Sequence, residues 1–278
     1  MKYEIVKHYS NKKFRRITGL KRKTFYKILE ILNAQYEQEH SHNTRNSGRK
    51  SKLSMEDKLL ATLEYLREYR TYFHIAASYG ISESRIYRTI KWVEDTIAND
   101  GTFSLPGKNA LLIPAKYYAI ILDATESPIE RPKKNQRKYY SGKKKQHTLK
   151  TQIIIDRQTK QIICTDFSNG SCHDFALFQE SGIIVLPEIK IQADSGYQGI
   201  QKIHANSETP KKKSKNKQLT EEEKKRNREF SGERVAVENV IGLIKRFKII
   251  SCRYRNRRKR FALRFNLIAG ICNYEMKF

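Results

Sequence analysis

Apolar residues recur at helical spacing through the first seventy residues of the chain. One segment, 14–36, predicts a single helix; its apolar positions are Phe14, Ile17, Leu20, Phe25, Ile28, Leu29 and Leu32. The polar, glycine-containing stretch from His40 to Lys52 predicts a linker. Ser54 is a suitable N-cap for a further helix, expected to run to about Arg70, because Asp57 follows three residues later.

The segment 71–92 has the pattern of a helix-turn-helix. Ala76 is small enough to let two helices approach, and Gly80 can take the positive φ of the turn. Ser82 is predicted to cap the second helix, with Ile86 packing it onto the first. Its outer face carries Arg85, Arg88 and Lys91, which suits a DNA major groove. A helical hairpin with an ordinary solvated basic face is the competing interpretation.

From Tyr117 onward the pattern changes to that of strands. The runs 117–123, 151–156 and 161–167 are short and rich in Ile and Tyr, and 157–160 predicts a hairpin loop between the last two. A helix is expected over 174–180, followed by a strand over 188–194 that ends in a Ser-Gly turn. Three strands, a helix, a strand and further helices predict a mixed α/β sheet.

The end of the chain is charged and helical. Residues 211–228 form a charge-dense insertion in which Thr220 and Glu223 predict a capping box. A long helix is expected from there through Phe247, with a possible break at Ser231-Gly232. The predicted domains are a helical DNA-binding region over 1–100 and an α/β domain over 101–278, with the charged insertion near 207–232.

The net charge of the chain indicates which class of molecule it binds. The chain has 56 Lys and Arg against 29 Asp and Glu, a formal net charge of +27, so nucleic acid is the leading partner. No apolar span or signal peptide is visible, which predicts a cytosolic or nucleoid protein without membrane contact. Four cysteines without CxxC or zinc-ligand spacing are expected to be reduced structural thiols.

Two aspartates each close an apolar run. Asp123 ends Ala119-Ile-Ile-Leu-Asp, and Asp194 ends Ile191-Gln-Ala-Asp, where an ionised carboxylate is costly unless it has a partner or a metal ion. Glu238 lies on the long helix, between apolar turns. Such oxygen ligands suit Mg²⁺ or Mn²⁺, and two ions about 4 Å apart would serve in-line attack on a phosphodiester. Taken singly, each acid is better explained as a cap, a turn or a surface residue. The combination of the three, on two strands and a helix of a basic protein, favours the metal site instead.

Five stretches resemble the DDE transposases of bacterial insertion sequences, close to insertion sequence family five. They are Asp123-Ala-Thr-Glu-Ser-Pro-Ile-Glu-Arg-Pro132, Tyr140-Ser-Gly-Lys-Lys-Lys-Gln-His-Thr-Leu-Lys150, Gly170-Ser-Cys-His-Asp174, Ala193-Asp-Ser-Gly-Tyr-Gln-Gly199 and residues 234–245. The resemblance implies a ribonuclease-H-like catalytic core preceded by an all-α helix-turn-helix domain. It also implies that Asp123, Asp194 and Glu238 are the catalytic, metal-binding triad. Glu238 depends more on the resemblance than the two aspartates do, and Glu233 is the alternative third ligand.

Other residues are predicted to support the triad, on weaker grounds than the triad itself. The resemblance places His173 and Asp174 near the active site, although Asp174 is also a natural N-cap. Lys245 lies about two turns beyond Glu238 on the same helix face, where it could meet a phosphate. Glu126, three residues after Asp123, is predicted to be a hairpin residue and not a ligand, because strand alternation turns it away.

Two basic strips are candidates for contacts with the DNA backbone. One lies between Arg131 and Lys150 and includes Lys143, Lys144 and Lys145. The other is 253–260, with Arg253 and Arg255. A solvated basic hairpin is the competing interpretation of the first strip.

Together these features predict a transposase that binds terminal inverted repeats of double-stranded DNA, cuts and transfers strands, and acts as a homodimer or larger assembly. Two alternatives stay open. One is a transposase-derived helix-turn-helix regulator without catalysis, and the other is a ribonuclease-H-like nuclease acting on RNA or hybrids.

Overall fold

The computed structural model describes residues 2–41, 51–212 and 219–277, which form two compact units. The helical unit comprises Met1–Ser104, Lys245–Cys252 and Leu263–Phe278, and the sheet unit comprises Leu105–Ile244 and Arg253–Ala262. The predicted boundary near residue 100 therefore corresponds only to the point where the chain first passes from the helical unit into the sheet unit. The C-terminal segments 245–252 and 263–278 return to the helical unit, whereas the sequence pattern had assigned them to the α/β domain.

The helical unit contains the N-terminal helices and the end of the chain. Its helices are α1 Tyr3–Val6, α2 Asn11–Thr18, α3 Arg22–His40, α4 Met55–Leu63 with a π-helical turn Glu64–Glu68, α5 Tyr72–Tyr79 and α6 Glu83–Asp100. The sheet unit adds α7 Gln136–Tyr139, α8 Asp174–Glu180 and α9 Glu221–Lys245, whose last residue belongs to the helical unit. The chain ends with α10 Lys248–Ser251 and α11 Phe261–Met276. No helix of the described residues is long and apolar enough to cross a membrane.

The single helix predicted over 14–36 is two helices. Gly19 has φ +79°, a left-handed conformation that ends α2, and Leu20 is fully buried in the connection to α3. A Cβ on Gly19 would lie 3.0 Å from Arg67 Cδ and 3.2 Å from Phe247 Cζ. The apolar spacing runs through the break because both helices pack against one core, so spacing alone did not reveal it.

The helix-turn-helix pattern corresponds to α5, a turn at Gly80 and α6. Gly80 has φ +65°, and Ala76 and Ile86 are buried, as expected. Ser82 is the N-cap residue, but its side chain makes no capping hydrogen bond. Its carbonyl oxygen instead accepts from the backbone N–H groups of Arg85 and Ile86, each at 3.1 Å.

The sheet unit has a mixed α/β fold of the ribonuclease-H-like type. Its strands are β1 Ala119–Pro128, β2 Tyr140–Ser141, β3 Gln146–Asp156, β4 Ile162–Asn169, β5 Lys190–Ala193 and β6 Ser207–Glu208. The main order is β4-β3-β1-β5-β6, with the short β2 beside the start of β3. β1, β3 and β4 are antiparallel neighbours, whereas β5 and β6 run parallel to β1.

The core of the sheet unit lies against one face of the sheet. It combines alternate strand residues such as Ile120, Leu122, Ile154 and Ile191 with Phe178 of α8. Two short 3₁₀ turns, Ser195–Tyr197 and Ile200–Lys202, supply Tyr197 and Ile200 to the same core. Burial of this face holds the end of β5 and the start of α8 together, and both carry candidate site residues.

The long helix α9 begins within the charged insertion, at Glu221. Glu223 N–H donates to Thr220 Oγ1 at 3.2 Å, and Thr220 N–H donates to Glu223 Oε2 at 3.0 Å, so the predicted capping box is confirmed. α9 continues through Ser231-Gly232 without the break considered possible. Residues 213–218 of the insertion and 42–50 of the predicted linker lie outside the described residues.

Candidate active site

Asp123 and Asp194 lie side by side where parallel pairing ends. β1 and β5 pair in register up to Leu122 and Ala193, so the next residue on each strand is an aspartate. In-register neighbours point to the same face of a sheet, which brings the two carboxylates together. Asp194 also caps the following 3₁₀ turn, because its Oδ1 accepts from Gly196 N–H at 2.6 Å.

Asp123 does not close its strand, contrary to the prediction. β1 continues to Pro128 because its antiparallel pairing with β3 extends to Pro128 and Thr148. Glu126 is consequently a strand residue and not part of a hairpin turn, and its Oε2 accepts from Thr148 Oγ1 at 2.8 Å. The apolar run stops at Asp123 because the pairing with β5 ends there.

Asp174 lies close to Asp123 and Asp194. A Cβ on Gly196 would lie 2.6 Å from Asp174 Oδ2 and 2.8 Å from Asp194 Oδ1, so both carboxylate oxygens border this glycine. The other oxygen, Asp174 Oδ1, accepts from Lys150 Nζ at 2.6 Å. The N-cap of α8 is His173, so Asp174 is the first helical residue and serves as an ion-pair partner instead of the predicted cap.

Burial sets the electrostatics of Asp123. It raises the pKa of this carboxyl from 3.8 to about 6, and the negative charges of Asp194 and Asp174 act in the same direction. The guanidinium of Arg234, with Nη2 at 3.4 Å from Asp123 Oδ2, and the Ala124 N–H both oppose that rise. The cluster is therefore short of positive charge.

Tyr197 is buried close to the three carboxylates. Its side chain is fully buried, and its hydroxyl has no hydrogen-bond partner among the residues that the structure describes. Burial, followed by the charges of Asp174, Asp123 and Asp194, raises the pKa of Tyr197 well above its usual value. Its hydroxyl is thus a neutral donor close to the three carboxylates.

Helix α9 crosses the same region with two acids. Glu233 accepts hydrogen bonds from Arg157 and from Gln192, which lies two residues before Asp194 on β5. Glu238 is exposed. It lies four residues after Arg234, on the same side of the helix and about 6 Å further along its axis. Arg234, and not Glu238, is the α9 side chain that reaches Asp123.

The donor atoms of the site fit a divalent metal ion. Among residues 2–41, 51–212 and 219–277 no three Asp, Glu, His or Cys side chains converge in a metal-binding arrangement. Mg²⁺, however, binds proteins through one or two carboxylates and keeps water or phosphate as its other ligands. Asp123 and Asp194 supply such a pair, and the raised pKa of Asp123 is what a bound cation would reverse.

Three contributors were missed or only partly recognised in the sequence. Lys150 and Arg234 each lie in a motif that the resemblance uses, but nothing local indicates that they pair with Asp174 and Asp123. The i,i+4 spacing of Arg234 and Glu238 was the available signal. Tyr197 follows Asp194 by three residues, and only the packing reveals its burial.

The other predicted residues are exposed or terminal. His173 is exposed beside Asp174, and Lys245 is the last residue of α9. Arg85, Arg88 and Lys91 are exposed on α6, as a DNA-reading face requires. Lys143, Lys144 and Lys145 form an exposed turn before β3, and Arg253 and Arg255 are exposed on either side of the buried Tyr254.

Known protein families match both the helix-turn-helix region and the sheet-containing region of the chain. A family model described as "DDE superfamily endonuclease" matches residues 122–273, and one described as "Helix-turn-helix of DDE superfamily endonuclease" matches 51–103. A protein of Microchaete diplosiphon named "Probable transposase for insertion sequence element IS702" is 47% identical over 277 residues, which cover 99% of each chain.

One solved structure is similar at low sequence identity. It is titled "Cryo-EM structure of piggyBac transposase synaptic complex with hairpin DNA (SNHP)". The match has 11% identity and a TM-score of 0.46, and it covers 95% of this chain and 73% of that one. The fold assignment rests instead on the strand order and the two family matches.

Proposed function

The chain belongs to the DDE superfamily endonucleases of the insertion-sequence transposase type, and from that premise we propose that it binds the terminal inverted repeats of its element and cuts and transfers DNA strands there. The observation that carries the proposal is the juxtaposition of Asp123 and Asp194 at the end of their parallel pairing. It lies in a unit whose helical partner carries a helix-turn-helix.

Asp123 and Asp194 would hold the divalent cation, Mg²⁺ or Mn²⁺, with Glu238 completing the set as the resemblance implies. A bound pair of such ions would activate a water or a 3′-hydroxyl and stabilise the leaving oxygen of a phosphodiester. The cation would add positive charge beside Asp123, whose Oδ2 lies 3.4 Å from Arg234 Nη2.

The surrounding residues orient these carboxylates. Lys150 pairs with Asp174, which leaves the second oxygen of Asp174 toward Gly196 and Asp194. Tyr197 is fully buried close to the three carboxylates and would limit the access of water to them. Lys245 would contact a phosphate further along α9.

Two kinds of DNA contact are proposed, one to the bases and one to the phosphates. Arg85, Arg88 and Lys91 on α6 would read the element end in the major groove. The exposed turn with Lys143, Lys144 and Lys145, together with Arg253 and Arg255, would contact phosphates without specifying sequence. Two element ends must be joined, so the active form would be a homodimer or larger.

The test is cleavage of element-end DNA with Mg²⁺. Asp123→Asn, Asp194→Asn and Glu238→Gln should each abolish cutting and strand transfer and leave end binding intact. Glu229→Gln, an exposed acid on the same helix, is the matched control and should keep full activity. Retained cutting by the Asp123 or Asp194 variant would refute the assignment.

Glu233→Gln separates the two acids of α9. Because Glu233 is engaged with Arg157 and Gln192, this variant should reduce stability but retain metal-dependent cleavage. Retained cleavage in Glu238→Gln, together with loss of cleavage and of metal affinity in Glu233→Gln, would transfer the ligand role to Glu233. A wild-type chain that binds ends without cutting would indicate the regulator.

A further inference from the structure

A basic pocket lies on the sheet unit where the two basic strips meet. It has a volume of about 500 Å³, and its lining includes Arg131, Lys133, Lys134, Tyr139, Arg257 and Arg258. The strips are joined because Tyr254 pairs with the chain just after β1: its N–H donates to Pro128 O at 2.8 Å. The pocket is therefore a built feature of the fold.

An aromatic ring forms part of the pocket wall. Tyr139 is partly exposed, and the guanidinium carbon of Arg258 lies 4.4 Å from its ring centroid. Arg257 and Arg258 have φ +47° and +68°, unusual values for residues with side chains. Tyr254, buried beneath, holds this turn through its hydroxyl, which donates to Lys259 O at 2.6 Å. Strained backbone of this kind is typical of ligand-binding positions.

The pocket is tied to the loop that enters the carboxylate cluster. Ser171 donates through its backbone N–H and its Oγ to Lys138 O, at 3.3 and 2.7 Å. A Cβ on Gly170 would lie 2.7 Å from Tyr139 O. Asp174 follows Ser171 by three residues, a span of roughly 10 Å at most. A DNA strand with its scissile phosphate at the carboxylates would therefore reach Tyr139 within a few nucleotides.

We propose that this pocket takes one unpaired nucleotide of the DNA strand next to the scissile phosphate, with its base on Tyr139 and its phosphates on the Arg and Lys side chains. The inference rests on the proposed function. An exposed turn such as Lys143–Lys145 is sufficient to follow a duplex backbone, whereas a pocket with an aromatic ring in its wall fits a base removed from its stack. Stacking on aromatic side chains tolerates any base, so the pocket would act at every element end.

The experiment compares two DNA probes with the full chain. One is a blunt element-end duplex, and the other is the same duplex with three unpaired terminal nucleotides that include 2-aminopurine. The protein should quench 2-aminopurine. Tyr139→Ala should weaken binding of the unpaired probe by about 5- to 150-fold and change blunt-duplex affinity less than about twofold. Tyr139→Phe, which keeps the ring, should bind like wild type.

Two further variants complete the design. Arg258→Ala removes an exposed side chain and should reproduce the selective loss, with thermal melting as the check on folding. Lys144→Ala is the control and should weaken both probes equally. Unquenched 2-aminopurine, or an equal loss on both probes in Tyr139→Ala, would overturn the pocket assignment and leave the transposase function intact. Absence of any DNA binding by wild type would overturn both.

Discussion

Arg234 Nη2 lies 3.4 Å from Asp123 Oδ2, and so connects the middle of α9 to the central strand of the sheet. Both side chains are mostly buried, with 17% and 13% of their surface exposed. The contact fixes which face of α9 meets the strand, and it puts Glu238 one helical turn away on that same side.

Asp123→Asn should stabilise the metal-free protein above pH 6. The folded pKa of Asp123 is raised from 3.8 to about 6, so its contribution to stability is fully present below the unfolded pKa and is lost as pH rises through 6. The difference from wild type should grow between pH 4 and 7 to on the order of 2–3 kcal/mol. Urea unfolding across this range measures it, and a pH-independent difference would contradict the assigned pKa.

Arg234→Gln should move metal binding to higher pH. The guanidinium lowers the pKa of Asp123, so its removal raises that pKa above about 6, and a proton then competes with the cation over a wider range. Mn²⁺ titration by calorimetry at several pH values measures the midpoint. Arg234→Lys keeps the charge and is expected to remain near wild type. An unchanged midpoint in the Gln variant would exclude action through Asp123.

Lys150→Met should destabilise the sheet unit by about 2 kcal/mol, because Asp174 loses a charged hydrogen-bond partner while mostly buried. The double variant Lys150→Met/Asp174→Asn removes both charges and should recover most of the loss. Denaturant unfolding of the three variants gives the coupling energy. Additive effects of the two substitutions would mean that the pair is not coupled.

Arg85→Ala and Arg88→Ala should weaken binding to element ends. A phosphate contact should lower the salt-dependence slope by about 1, whereas a base contact should cost about 1–3 kcal/mol on the cognate end alone. Fluorescence anisotropy at several salt concentrations separates the two. Lys12→Ala, an exposed basic residue on α2, serves as the control. Losses equal to that control would favour the solvated helical hairpin.

Arg264→Met should cost the helical unit about 3–5 kcal/mol. Arg264 Nε lies 2.7 Å from Glu94 Oε1, and both side chains are almost fully buried, at 3% and 0% exposure, so the variant removes a buried ion-pair partner of Glu94. Arg264→Met/Glu94→Leu should restore much of the stability. The surface pair of Arg226 and Glu208 provides the comparison: Arg226→Ala should cost under about 1 kcal/mol in the same unfolding assay.

Features that depend on a few neighbouring residues were readable in the sequence. The turn at Gly80, the capping box at Thr220 and the end of β5 before Asp194 each follow from a local backbone requirement or from the end of an apolar run. The net charge predicted a nucleic-acid partner, and the motif resemblance predicted a DDE endonuclease core with a helix-turn-helix, which the family matches confirm.

Only the tertiary structure decided the features that depend on distant partners. β1 continues past Asp123 because β3 pairs with it, and the chain's last helix returns to the N-terminal unit. The ion pairs of Asp174 and Asp123 join residues 24 and 111 positions apart. Burial, hydrogen bonding and ion pairing act between atoms in space, so a pattern along the chain indicates which side chains need partners, and the fold determines which partners they receive.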